Sequence, residues 1–243
     1  MGGPPPGMAG PPPAMAAPPP AASTEAAAWG ALVSVKRDGS DGERFSLRGE
    51  WVDVGRDEAS TVAFGEDRFL AARHARIEWD GSTAHVAPVD ELNGVFQRID
   101  AERPLDSGDI LLVGREVLRF ELVEDDERVI APLIRHGVAL FGSPPREPWG
   151  RLHQLVPNGG VRDVRYLSGD ALVIGREEGD LVFRDDAFLS RRHAMIKWKD
   201  NRASVEDLNS SNGTFIRLKK RTKVGDRDHL RMGDQLFRLE LGA

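Results

Sequence analysis

Ser190-Arg191-Arg192-His193 and Asp207-Leu208-Asn209-Ser210-Ser211-Asn212-Gly213-Thr214 are the two clusters in this sequence whose residue types could do chemistry. Ser190, His193 and Asp207 are the types of a hydrolytic triad. Their spacing argues against one: Ser190 stands three residues from His193, and no Gly-x-Ser-x-Gly elbow is present. No Gly-x-Gly-x-x-Gly run, phosphate loop or His/Asp/Glu ligand spacing appears either. With 0 cysteines, disulfides, thiolate metal sites and cysteine nucleophiles are excluded. The expectation is a chain with no catalytic residues, no metal and no cofactor. What remains is a set of hydrogen-bond donors: guanidinium, hydroxyl and carboxamide groups.

Strands must position these donors. Ala194, Ile196 and Trp198 share one parity, the alternation of a half-buried strand. Upstream, the apolar run 171–174 ends at Gly175-Arg176, a glycine turn with a guanidinium just past it. Both polar clusters therefore fall at strand ends and can form loops on one edge of a sheet.

Gly175-Arg176, then Ser190-Arg191-Arg192-His193, then Ser211-Asn212-Gly213-Thr214, in that order and spacing, resemble the forkhead-associated (FHA) family. The resemblance implies a β-sandwich that binds phosphothreonine peptides through the loops at one end. It places Arg176, Ser190, Arg191 and Ser211 around the phosphate and Asn212 on the peptide main chain. A phosphothreonine carries about −1.5 to −2 charges and three acceptor oxygens. Each charge-assisted bond to it is worth about 1.5–3 kcal/mol, which after ordering costs implies roughly micromolar binding. Gly175 and Gly213 read as turn glycines, and His193 as a residue that braces the loops rather than a ligand contact.

An internal repeat sets the organisation. FLAARHARIEW at 69–79 matches FLSRRHAMIKW at 188–198, an offset of 119 that also sets Asn93-Gly94 on Asn212-Gly213 and Gly114 on Gly233. Upstream the offset is 120, setting Gly55-Arg56 on Gly175-Arg176. Short strands are expected at 31–35, 44–47, 51–54, 75–79, 84–87, 94–99, 110–113 and 117–122, separated by turns. The fold class expected is all-β: two forkhead-associated-like β-sandwich domains in tandem, at 29–123 and 149–243.

The first copy keeps Arg56, His74, Asn93 and Gly94 but has Ala71, Ala72 and Leu92 where the second has Ser190, Arg191 and Ser211. Losing two charge-assisted bonds costs roughly two to four decades of affinity. The first copy is expected to be degenerate, packing or recognising an unphosphorylated surface. The basic run Arg217-Leu218-Lys219-Lys220-Arg221 reads as a solvated strand end, with steering of acidic peptide flanks as the alternative.

Residues 1–28 are a Pro/Ala/Gly-rich tail with three PPP blocks, expected to be disordered and semi-extended. Its one threonine, Thr24, is a candidate phosphosite for self-binding. In the linker, 124–148, apolar residues near helical spacing suggest a short helix or an irregular segment docked on one domain. The chain carries 33 Lys+Arg against 39 Asp+Glu, a poor charge balance for a nucleic-acid binder. No apolar run approaches the ~18 residues that span a bilayer. The N-terminus lacks the basic start of a signal peptide, and Pro6 disfavours myristoylation. The expectation is a cytoplasmic adaptor in signalling, with no nucleic-acid or membrane partner. The resemblance implies, as partners, phosphothreonine-containing proteins, Ser/Thr kinases or their substrates. The alternative is a phosphate-independent scaffold.

Overall fold

The computed structural model describes residues 27–128, 133–144 and 146–242; the tail with Thr24, and residues 129–132 of the linker, lie outside the described residues. The first repeat contributes β1 (Ala28–Val35), β2 (Asp41–Arg48), β3 (Trp51–Gly55), β4 (Val62–Ala63), β5 (Ala75–Trp79), β6 (Ala84–Pro88), β7 (Val95–Arg98), β8 (Arg103–Leu105), β9 (Ile110–Val113) and β10 (Glu116–Leu122). One helical turn, α1 (Asp125–Arg128), and a hairpin, β11 (Ile134–Arg135) with β12 (Val138–Ala139), lie between the repeats. The second repeat contributes β13 (Gly150–Leu155), β14 (Val161–Leu167), β15 (Ala171–Gly175), β16 (Leu181–Val182), β17 (Ala194–Lys199), β18 (Arg202–Asp207), β19 (Thr214–Arg217), β20 (Thr222–Val224), β21 (His229–Met232) and β22 (Gln235–Leu241). The all-β class and the β-sandwich architecture follow, as the alternating patterns require.

The two repeats do not pack as two contiguous sandwiches. A ten-stranded sheet runs through the molecule in the order β14-β13-β10-β9-β19-β7-β21-β22-β1-β2. At its centre β7 lies antiparallel to β19, with Arg98 opposite Phe215 and Arg217 opposite Phe96. Beyond that crossing, each repeat continues into the other's sandwich. Strand β10 pairs with β13, and β22 pairs with β1. The two smaller sheets are completed the same way, in the orders β16-β15-β17-β18-β8 and β20-β6-β5-β3-β4. The sequence ranges 29–123 and 149–243 therefore describe the repeats, while each packed module draws on both.

The two cores show the same exchange. The first holds Leu32, Val54, Ile77 and Val86 of the first repeat together with Leu218, Val224, Leu230, Met232, Phe237 and Leu239 of the second. The second core holds Leu152, Ile174, Ile196 and Val205 with Ile99, Leu105, Leu111, Val113, Leu118 and Phe120 of the first repeat. Six buried apolar side chains at about 1.5–3 kcal/mol each come to something on the order of 10 kcal/mol, comparable with the whole stability of a domain. Without the strands it borrows, each core would lose these six side chains. Aromatic pairs follow the exchange too. Phe237 sits edge-on to Phe64 at 5.6 Å, and Phe120 meets Trp149 at 6.3 Å.

Each module is also pinned at its far end by stacked indoles. Trp29 lies on Trp79 at 5.1 Å and Trp149 on Trp198 at 4.8 Å. Each first indole donates to a turn carbonyl, Gly49 or Gly169.

Of the linker's two expected forms, a short helix or an irregular segment docked on one domain, residues 133–140 show neither. Its described apolar residues form the β11–β12 hairpin, and Leu133, Ile134, Val138 and Leu140 are exposed. His136 and Gly137 supply φ of 52° and 77°, the two successive positive values of a tight hairpin turn.

Candidate functional site

In the second module, β15 delivers Gly175 and Arg176 to the sheet edge where the loop 186–193 returns. The backbones of the two segments are zipped together: Arg176 N–H donates to the Ser190 carbonyl at 3.0 Å, and Glu178 N–H to the Arg191 carbonyl at 3.0 Å. Gly175 is required by this approach. A Cβ there would lie against the Arg191 and Glu178 carbonyl oxygens, closer than side chains sit in practice.

His193 is fully buried and ties the second loop to the third. Its Nδ1 accepts the Ser190 N–H at 3.1 Å. Its Nε2 lies 3.1 Å from the Gly213 carbonyl, which can only accept, so Nε2 carries the proton. Burial pushes the His193 pKa down, keeping the ring neutral. With both nitrogens occupied, the histidine braces the loops.

The third loop is held by Asp207, which accepts Ser210 N–H at 2.8 Å, Ser210 Oγ–H at 2.6 Å and Thr214 Oγ1–H at 2.7 Å. Ser211 N–H donates to Ser190 Oγ at 3.0 Å, and Asn212 Nδ2 donates to the Phe188 carbonyl at 2.7 Å. The predicted set Arg176, Ser190, Arg191, Ser211 and Asn212 is thereby brought onto three mutually bonded loops at one end of the sandwich. A triad is not assembled: Ser190 meets His193 through its backbone N–H, and Asp207 bonds serine and threonine instead of the imidazole. Among the described residues no group of His, Cys, Asp and Glu could hold a metal ion, and no helix is long and apolar enough to cross a membrane.

The site's cations are held by neighbouring carboxylates. Arg176 pairs with Glu177 at 2.9 Å and Arg191 with Glu178 at 3.4 Å. These pairs are solvent-exposed and weak, so a doubly charged anion can displace them.

Sequence reasoning missed one neighbour of the site. Arg98, from the first repeat, lies with its guanidinium against Gly213, whose φ is 80°. Arg217 stands against Gly94 in the equivalent position of the other module. Both arginines are visible in the sequence at the 119 offset, but only the exchange tells which glycine each one meets.

The first module keeps the frame, with Ala71, Ala72 and Leu92 where the second has Ser190, Arg191 and Ser211. Asn93 Nδ2 donates to the Phe69 carbonyl at 2.9 Å, and His74 bridges Ala71 N–H at 3.3 Å to the Gly94 carbonyl at 2.8 Å. Where Ser211 stands in the second module, Leu92 is 82% exposed.

A family model described as "FHA domain" matches residues 52–114 and 172–236, together more than half of the chain. The FHA domain-containing protein FhaB of Mycolicibacterium smegmatis is 35% identical over 99 residues, 39% of this chain and 64% of that protein. The transcriptional regulatory protein EmbR of Mycobacterium tuberculosis is 32% identical over 80 residues, 32% of this chain and 21% of that protein. The chain thus covers less than two thirds of the length of either. A solved structure of Mycobacterium tuberculosis EmbR in complex with a low-affinity phosphopeptide aligns at 27% identity over 37% of this chain and 27% of that one, with a TM-score of 0.21.

Proposed function

The chain belongs to the FHA domain family, and from that premise we propose that it is a phosphothreonine-peptide-binding adaptor whose second module holds the competent site. The observation that carries this reading is the set of three bonded loops presenting Arg176, Ser190, Arg191 and Ser211 at one edge. Such a site needs donors fixed in advance, so that binding does not have to order them. The Ser190–Ser211 and His193–Gly213 bonds provide that fixity. Family membership supports a role in Ser/Thr kinase signalling, with kinases or their substrates as partners.

The exposed Leu92, together with alanines at 71 and 72 in place of Ser190 and Arg191, favours a second role for the first module: contact with an unphosphorylated apolar surface. The two roles are compatible within one adaptor.

Calorimetry on the full chain with a phosphothreonine peptide and its plain counterpart tests the proposal. Binding should require the phosphate, and Arg176→Ala or Ser190→Ala should each weaken it at least about tenfold, the size of one charge-assisted bond. Equal affinity for the two peptides would overturn the reading.

A further inference from the structure

Two turns that occupy the same place in the repeats differ in charge. Gly114-Arg115 joins β9 to β10, and Gly233-Asp234 joins β21 to β22. Each is seated by an aspartate in the loop that leads to a module's site. Arg115 N–H donates to Asp186 Oδ2 at 2.6 Å, and Asp234 N–H donates to Asp67 Oδ2 at 2.9 Å. The seating is close: Gly114 has φ 64°, and a Cβ on it would fall 2.6 Å from Asp186 and 2.8 Å from Leu189.

From Asp186 a short chain of bonds leads to the proposed peptide contact. The other oxygen of Asp186 accepts Phe188 N–H at 2.9 Å, and the Phe188 carbonyl accepts Asn212 Nδ2 at 2.7 Å. Arg115 itself is exposed. Because the strands are exchanged, the turn on the second module's loop comes from the first repeat and brings an arginine. The degenerate module receives the aspartate. In contiguous domains the assignment would be reversed, and the phosphate-donor site would carry Asp234 at its side.

We propose that the second module's site is composite, and that Arg115 of the first repeat reads an acidic side chain flanking the phosphothreonine. This rests on the phosphothreonine reading above and specifies the ligand further: a phosphothreonine peptide with acidic flanks. An exposed ion pair of this kind changes affinity by a factor of about two to five, and salt screens it.

The test is calorimetry on the full chain with two phosphothreonine peptides, one flanked on both sides by glutamates and one by glutamines. The glutamate peptide should bind about two- to fivefold tighter at low salt. Arg115→Gln should abolish the difference, and Asp234→Asn should leave it in place. A preference that persists in Arg115→Gln, or is absent from the wild type, overturns the proposal while leaving phosphothreonine binding intact. A preference that responds to Asp234→Asn instead of Arg115→Gln shows that the second repeat supplies its own turn, and also overturns it. If neither phosphopeptide binds, the phosphothreonine reading falls and this one with it.

Discussion

Glu102 and Lys197, one from each repeat, meet at 2.8 Å in the second module. The equivalent positions in the first module hold Arg221 and Glu78, which meet at 2.6 Å with the charges reversed. Were each repeat folded on its own, Glu78 would face Glu102 and Lys197 would face Arg221. The four residues thus favour the exchanged connectivity twice over, by attraction where strands cross and by repulsion where they do not.

This charge logic can be inverted. Glu102→Arg with Arg221→Glu places like charges at both sites and should lower the Tm by a few degrees. Adding Glu78→Lys and Lys197→Glu restores opposite charges and should recover most of the loss. A quadruple variant no more stable than the double would show that these pairs do not select the connectivity.

Most of the local structure was legible in the sequence because it depends on local signals. Parity gave β17, the offset of 119 gave the repeat and with it β5, and glycine turns gave the ends of β3 and β15. The loops around Ser190 and Asn212 were legible for the same reason. The exchange was not, because repeats bury matching apolar residues either way: Leu111 and Leu230 can each fill the other's place. Connectivity is recorded only where the repeats differ and touch, as at Glu78, Glu102, Lys197 and Arg221. The linker's apolar spacing fits a helix or an irregular segment, whereas over residues 133–140 the His136-Gly137 turn decides for a hairpin.

Gly175→Ala tests how closely the first two loops must approach. The added Cβ meets two backbone carbonyls that cannot rotate away. The cost should be about 1–3 kcal/mol, and the zipped loops should part. Phosphopeptide binding should fall by more than tenfold. Chemical denaturation and calorimetry on the same variant check both effects; unchanged values would show that the loops have slack.

His193 gives the pH dependence a definite sign. Burial lowers its folded pKa, so the unfolded chain binds the proton more readily. Stability from this group is fully present above about pH 6.5 and is lost as pH falls below it toward the folded value. His229, also lowered by burial, acts in the same direction. Melting of the unliganded protein should therefore drop between about pH 7 and 5. In His193→Gln, where the amide can still accept from Ser190 and donate to Gly213, the drop should be smaller. A wild-type Tm that does not fall over that range would contradict this reading of the buried imidazole.

The interlocked arrangement has a direct test that needs no ligand. Phe141, in the linker, is 98% exposed, which makes it a site for a chymotrypsin-like protease. A single cut there leaves two fragments, one from each repeat. If strands β8–β10 and β20–β22 are exchanged, both fragments are needed for both cores. Size-exclusion chromatography should then show one particle of undiminished mass, unfolding in a single transition, and the fragments should separate only in denaturant. Two fragments that elute apart, each still folded by circular dichroism, would show that each repeat folds on its own and would contradict the account.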